Sequence, residues 1–212
     1  GRERVVLSDE NFLGSCEQNF EHHALYPHAK PRLRELAAVV GERAVRVLFC
    51  VRDYAGYFRS AYCEAIRHSP YRPFREMYTG VDLSARGWEH IVDDVLAAWP
   101  EAEVVCWRYE DLEKMRPLIA SVLFGVEAAS LPAHDSRRER QSFPRLAIRL
   151  LDDIYRRAGA KVTTQVRASV EAVINGPQMP RFDPWRADEL LQFKADYERS
   201  VAKLRAMPRV RF

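Results

Sequence analysis

The sequence predicts an α/β fold in which a parallel sheet carries helices on both faces, in three layers, followed by a mainly helical part. Two observations predict it. Nearly unbroken apolar runs at residues 45–51 and 102–107 are typical of buried strands in a parallel sheet. Residues between and after these runs show the i, i+3, i+4, i+7 spacing of helices with one buried face. Because parallel strands need a crossover connection, the helices between the runs favour parallel pairing.

Length and composition indicate one globular domain. The 212 residues can bury a substantial core, and we expect an α/β core over residues 1–130 with a mainly helical extension over residues 131–212. Hydrophobic residues make up 47% and charged residues 30% of the chain, as in an ordinary soluble protein. The formal net charge of +3 is too small to indicate a nucleic-acid partner, although it is compatible with an anionic ligand.

Cysteine spacing and hydropathy indicate the cellular compartment in which the protein works. The four cysteines show neither CxxC nor CxxH spacing, so the sequence predicts neither a zinc site nor a disulfide framework. We find no signal peptide and no apolar run of the ~18 residues that a membrane helix needs. We therefore expect a cytoplasmic protein with reduced thiols and no membrane partner. Nothing in the sequence indicates an oligomeric state.

The N-terminal region is predicted to begin with a short strand over residues 4–8. Glu10 follows in a turn, where a carboxylate is suited to accept a proton from a hydroxyl. Residues 12–31 are weakly periodic and rich in histidine, which predicts a loop-rich segment beside a ligand pocket. The adjacent His22 and His23 lack the i, i+4 spacing of a helical metal pair, so no metal site is predicted there.

A helix over residues 32–40 is predicted to return the chain to the first buried strand, residues 45–51. Arg52 follows that strand directly, and Asp53 is placed to cap the next helix, in which Ser60 lies off the apolar stripe. A guanidinium and a hydroxyl near a helix N-terminus can bind a phosphate dianion. The alternative is that Arg52 pairs with a surface carboxylate and that Ser60 is only a small helix residue.

Residues 84–99 form the clearest predicted helix, with Ser84 as its N-cap and an apolar stripe that belongs to the core. The second strand, residues 102–107, leads to Tyr109 at the carboxyl edge of the sheet. Glu110 and Asp111 are predicted to cap the helix that comes next.

The rest of the chain is predicted to be basic and then helical. Arg137, Arg138 and Arg140 lie in a polar segment without helical spacing, which is typical of a basic loop. Helical patterns then follow, and residues 204–212 are predicted to add a short closing strand.

Three of these segments resemble motifs of a known enzyme family. Arg52-Asp53, with Ser60 eight positions after the arginine, is similar to the 3′-phosphate-binding motif of the sulfotransferases that use 3′-phosphoadenosine 5′-phosphosulfate (PAPS). The segment 107–112, Trp-Arg-Tyr-Glu-Asp-Leu, is similar to the strand-ending Tyr-Glu-Asp-Leu of that family. Residues 5–12 resemble the strand and acidic turn of its bacterial branch. The matches follow the family's order over roughly the first half of the chain.

The resemblance implies a P-loop-NTPase-like fold and transfer of a sulfuryl group from PAPS to a hydroxyl or amine of a small-molecule or carbohydrate acceptor. By the same resemblance, Arg52 and Ser60 hold the 3′-phosphate and Tyr109 lies near the adenine. Arg138 represents the basic loop that closes over the phosphate, and Glu10 is the base. No metal is required, because the leaving group is an anchored phosphate.

Several alternatives stay open at this point. The family holds the 5′-phosphosulfate with a lysine- and glycine-containing loop, and no GxxGxxK or GxxxxGK[ST] pattern occurs here. Either that loop precedes Gly1, which we expect, or the protein departs from the family and has lost it. Either of the neighbouring arginines could replace Arg138, and His22 or His23 could replace Glu10 as the base. A P-loop kinase-like phosphotransferase and a non-catalytic nucleotide-binding or scaffold protein of the same fold are the rival functions.

Overall fold

A computed structural model describes residues 5–9, 11–41, 43, 45–124, 142–158, 162–174, 176 and 178–212. Helices dominate these residues, and a small sheet lies among them. The helices are α1 (Cys16–Glu21), α2 (Ala29–Val40), α3 (Tyr54–His68), α4 (Phe74–Met77), α5 (Trp88–Ala98), α6 (Leu112–Phe124), α7 (Arg145–Ala158), α8 (Thr164–Val173) and α9 (Ala187–Ala206). The strands are β1 (Arg46–Val51), β2 (Glu103–Arg108) and β3 (Val210–Arg211).

The sheet has the order β1-β2-β3, and both pairings are parallel. The predicted α/β class, its parallel pairing and the short closing strand are therefore confirmed. The register runs from Arg46 opposite Glu103 to Val51 opposite Arg108. Because β1 and β2 end at the same register position, the residues that follow them, Arg52 and Tyr109, leave the sheet side by side.

The first buried strand is less covered than predicted. Among the described residues β1 is an edge strand, since it pairs only with β2, and Val51 is its one fully buried side chain. The strand predicted over residues 4–8 is also wrong for residues 5–8, which form no ladder with another strand and are exposed. Val5, for example, is 76% exposed. An apolar run acquires strand structure only where a neighbouring edge accepts its hydrogen bonds.

The apolar stripe of α5 belongs to the core, as predicted, with Ile91, Val92 and Val95 buried. The start of the helix differs from the prediction. Gly87, not Ser84, occupies the N-cap position, because the Ser84 hydroxyl donates to Asp82 Oδ1 at 2.6 Å and stabilises a separate turn.

Aromatic packing joins α3, α5 and α9. The rings of Tyr54 and Trp88 are stacked, with centroids 5.7 Å apart and an interplanar angle of 6°. The Tyr54 hydroxyl accepts from the backbone N–H of Trp88 at 3.0 Å and donates to Ser200 Oγ at 3.1 Å. These contacts fix the helix that follows Arg52 against two helices from later in the chain.

Within the described residues, no helix combines the length and the hydropathy that crossing a bilayer would require.

Candidate functional site

The candidate site lies at the carboxyl ends of β1 and β2, the edge at which parallel α/β sheets bind ligands. Arg52 follows β1 and is half-buried, and its guanidinium carbon lies over the Tyr109 ring, 4.5 Å from the centroid. Its backbone carbonyl accepts from Trp88 Nε1 at 2.9 Å. The guanidinium takes part in no ion pair within 4.0 Å among the described residues. The predicted alternative, a surface carboxylate partner for Arg52, therefore finds no support there.

The first turn of α3 lies against this arginine. Asp53 caps the helix as predicted, since its Oδ1 accepts from the backbone N–H of Gly56 at 2.7 Å. A Cβ atom placed on Gly56 would lie 3.2 Å from Arg52 Nε, so the arginine stem follows the helix surface where a side chain is missing. Ser60 is exposed and lies four residues beyond Gly56, on the same face and about 6 Å farther along the axis.

Tyr109 provides an open aromatic surface at this edge. It begins a 3₁₀ turn directly after β2 and is 40% exposed, although large aromatic side chains are usually well buried. With the Arg52 guanidinium over its ring, the pair forms a flat, positively charged platform. Such a platform is suited to an aromatic ligand that also carries a negative charge.

Glu110 does not cap α6, in contrast to the prediction. The 3₁₀ turn directs its carboxylate back across the strand ends, where Oε1 accepts from the backbone N–H of Asp53 at 3.4 Å and Oε2 accepts from the Tyr197 hydroxyl at 3.1 Å. Burial, together with the Glu110 carboxylate, raises the pKa of Tyr197, which therefore stays protonated as a donor. Glu110 thus joins the two strand ends to α9.

The two arginines at this edge differ in their partners. Arg108, the last residue of β2, pairs with Glu198 at 2.8 Å, and this hydrogen bond raises its pKa. Within the described part of the chain, Arg52 contacts the Tyr109 ring and pairs with no carboxylate. A charge that is partly removed from water and lacks a counter-ion favours binding of an external anion. Among the described residues at this edge, Arg52 is thus a cation with the geometry to hold an anionic ligand.

Two of the predicted site residues, Glu10 and Arg138, lie outside the described residues. The histidines that were alternatives to Glu10 are described. His22 and His23 are both exposed; His22 forms a hydrogen bond with His28, and His23 forms one with the Thr79 hydroxyl. The structure thus brings Arg52 and Tyr109 into contact, with Ser60 on the adjoining helix face.

Sequence reasoning missed Trp88 and Tyr197 as neighbours of the site. Both lie on the buried faces of their helices, α5 and α9, and pack in the core. Their polar atoms, however, contact residues that lie 36 and 87 positions away along the chain. No local pattern carries a signal for such pairings, although Trp and Tyr usually need a hydrogen-bond partner when buried.

No family model, curated protein or solved structure matches this chain. Function must therefore be argued from the geometry of the site and from the motif resemblance.

Proposed function

We propose that this chain is a PAPS-dependent sulfotransferase domain of the three-layer, P-loop-NTPase-like type. It transfers a sulfuryl group to a hydroxyl or amine of a small-molecule or carbohydrate acceptor. One observation carries the proposal: Arg52 lies at the carboxyl end of β1, over an exposed tyrosine ring, with no carboxylate partner among the described residues. This arrangement suits a nucleotide whose ribose bears a phosphate.

The contacts around Arg52 favour binding of a phosphate ligand by its guanidinium over pairing with a carboxylate of the protein itself. Two acidic groups beside Arg52 are engaged, because Asp53 caps α3 and Glu110 accepts from Asp53 N–H and the Tyr197 hydroxyl. The guanidinium fork therefore remains available for bidentate hydrogen bonds to phosphate oxygens. The positive end of the α3 dipole adds to the attraction, and the Ser60 hydroxyl offers one further donor.

The transfer itself needs two things from the protein, which are correct positioning of the nucleotide and a base. The acceptor oxygen or nitrogen forms a bond to sulfur while the bond from sulfur to the 5′-phosphate oxygen breaks, and adenosine 3′,5′-diphosphate leaves. Arg52, Ser60 and Tyr109 hold the nucleotide part, so that the sulfuryl group is in line with the acceptor. A base takes the acceptor proton. We assign this role to Glu10 by resemblance, with His22 or His23 as the alternative.

Nucleotide binding tests the proposal without knowledge of the acceptor. Adenosine 3′,5′-diphosphate is expected to raise the melting temperature, whereas 5′-AMP, which lacks the 3′-phosphate, is expected to have little effect. A ligand at one hundred times its Kd stabilises the folded state by about 2.7 kcal/mol, which is roughly 5–10 °C for a chain of this length. Differential scanning fluorimetry measures both shifts.

Arg52→Ala is expected to reduce the shift with adenosine 3′,5′-diphosphate to that with 5′-AMP. The matched control is Arg46→Ala, which removes an arginine from the opposite end of the same strand, where it pairs with Glu103 at 2.7 Å. The control is expected to keep the full nucleotide difference. Equal shifts with both nucleotides in the wild type would overturn the site assignment. A shift with ATP and Mg²⁺ alone would favour the kinase-like alternative.

Ser60→Ala is expected to weaken binding of adenosine 3′,5′-diphosphate about tenfold, because one hydrogen bond to a charged group contributes about 1.5–3 kcal/mol. Affinity for 5′-AMP should not change. Isothermal titration calorimetry measures both constants. Ser169→Ala, which alters an exposed serine on α8, is the control. An unchanged affinity in Ser60→Ala would remove Ser60 from the phosphate site while leaving Arg52 in it.

A further inference from the structure

Two histidines meet at the loop between α1 and α2. His22 follows α1 and His28 precedes α2, and their Nε2 atoms lie 3.2 Å apart. The rings are nearly perpendicular, with an interplanar angle of 84°. His22 is exposed and His28 is half-buried, so both nitrogens can be reached from solvent.

Side chains from the core hold this loop from the inside. Asn19 is fully buried, and its Oδ1 accepts from the backbone N–H of Tyr26 at 2.7 Å while its Nδ2 donates to the Tyr57 hydroxyl at 2.7 Å. Arg86 donates from Nε to the Leu25 carbonyl at 2.6 Å and from Nη2 to the Tyr26 carbonyl at 3.0 Å. The loop backbone is therefore attached to α1, to α3 and to the turn before α5.

The backbone of the loop is also unusual in itself. His23 and Tyr26 have positive φ angles of 50° and 44°, which side chains other than glycine adopt at a cost. The buried contacts of Asn19 and Arg86 maintain this conformation. The separation of the His22 and His28 rings is thus set by the folded loop, and little ordering remains to be done when a ligand binds.

We propose that His22 and His28 form a two-histidine site for a divalent transition-metal ion, Zn²⁺ or Cu²⁺. Two imidazole nitrogens bound at about 2.0–2.1 Å to one tetrahedral ion lie about 3.3–3.4 Å apart, close to the observed 3.2 Å. Without an ion, one ring must donate its Nε2 proton to the other. When the ion binds, that proton moves to Nδ1 of the same ring, so that each Nε2 offers a lone pair to the ion.

The site offers two protein ligands. No group of three or more His, Cys, Asp or Glu side chains in the described part of the chain is arranged to hold a metal. Water completes the coordination, and binding is weaker than at a closed structural site. Cu²⁺ is expected to bind more tightly than Zn²⁺, following the general order for nitrogen ligands. The proposal does not depend on the nucleotide site at Arg52.

Titration of the full chain with CuCl₂ and ZnCl₂ tests the site, with calorimetry and equilibrium dialysis as readouts. We expect one ion per chain at pH 7.5. His22→Ala and His28→Ala are each expected to weaken binding at least tenfold. His23→Ala is the matched control, because His23 is adjacent and exposed but contacts Thr79, and it is expected to bind like the wild type.

Several results of these titrations would contradict the two-histidine site. Retained binding in His22→Ala, a substitution at an exposed position that leaves the core contacts intact, would overturn the proposal. So would equal loss in His23→Ala, or a ratio of one ion to two chains, which would indicate a site between copies. If neither metal binds the wild type, the His22–His28 contact is only a hydrogen bond.

Discussion

Trp88→Ala is expected to lower the free energy of unfolding by about 3–5 kcal/mol, because it leaves a cavity where a large buried side chain was. Trp88 is 2% exposed and its ring lies against Tyr54, Tyr57 and Phe49. The expected decrease in melting temperature is roughly 10 °C. Chemical denaturation with urea, followed by circular dichroism, measures the change directly.

Trp88→Phe separates packing from the hydrogen bond to the site. It keeps an aromatic ring but removes the indole N–H that donates to the Arg52 carbonyl at 2.9 Å. Trp99→Phe, at the other end of α5, is a matched control, since its indole N–H is buried without a hydrogen-bond partner among the described residues. Both variants should lose stability. Only Trp88→Phe is expected to weaken binding of adenosine 3′,5′-diphosphate, by several-fold.

Equal nucleotide affinities in the two phenylalanine variants would mean that the Trp88 hydrogen bond does not position Arg52. A stable Trp88→Ala variant would contradict the packing argument itself.

Lys203→Met is expected to destabilise the protein by about 3 kcal/mol at pH 7.5, because it leaves a buried carboxylate without its cation. Glu89 is 4% exposed, and its Oε1 accepts from Lys203 Nζ at 2.8 Å while Oε2 accepts from the Ser200 hydroxyl. The Lys203 side chain is itself 48% exposed, so the loss should lie at the low end of the range for buried pairs.

The effect of Lys203→Met should depend on pH. In the wild type, burial acts to raise the pKa of Glu89, but hydrogen bonds from Lys203 and Ser200 outweigh it, and the pKa lies below its usual value of 4.5. A lowered pKa contributes stability above pH 4.5 that is lost as the pH falls through the folded-state value. In Lys203→Met, burial is no longer outweighed, so the pKa of Glu89 is raised and the variant gains stability when the carboxyl group is protonated.

The stability difference between the wild type and Lys203→Met is therefore expected to be largest near pH 7.5 and to decrease by pH 5. Urea unfolding at both pH values measures it. Lys194→Met serves as the control, since Lys194 is exposed on the same helix, and it should change stability by less than about 0.5 kcal/mol at either pH. A difference that stays constant with pH would show that Glu89 is not the titrating group.

Several features of this fold could be predicted from local sequence. Asp53 is the N-cap of α3, Gly41 ends α2 with a φ of 69°, and Ile91, Val92 and Val95 form the buried stripe of α5. Each depends on residues within one or two helical turns, where backbone geometry and side-chain spacing decide the outcome. The parallel pairing of β1 with β2 was predictable for a similar reason, since a crossover separates them.

The two wrong capping predictions concern side chains for which several hydrogen-bond partners compete. Ser84 was a plausible cap, but its hydroxyl donates a hydrogen bond to Asp82, and the helix begins at Trp88. Glu110 was also expected to cap a helix, and it contacts Asp53 and Tyr197 instead. In both cases the side chain had more than one suitable partner, and the sequence does not rank them.

Composition and spacing established an α/β chain with an arginine and a nearby serine at the end of an apolar strand, because hydrophobic period and capping chemistry act over a few residues. That Arg52 lies on Tyr109, and that Tyr54 bonds to Ser200, 146 positions away, depended on how the helices pack. Such contacts arise from the shape of the whole core. Side chains distant in sequence meet there because burying them together removes the most apolar surface from water.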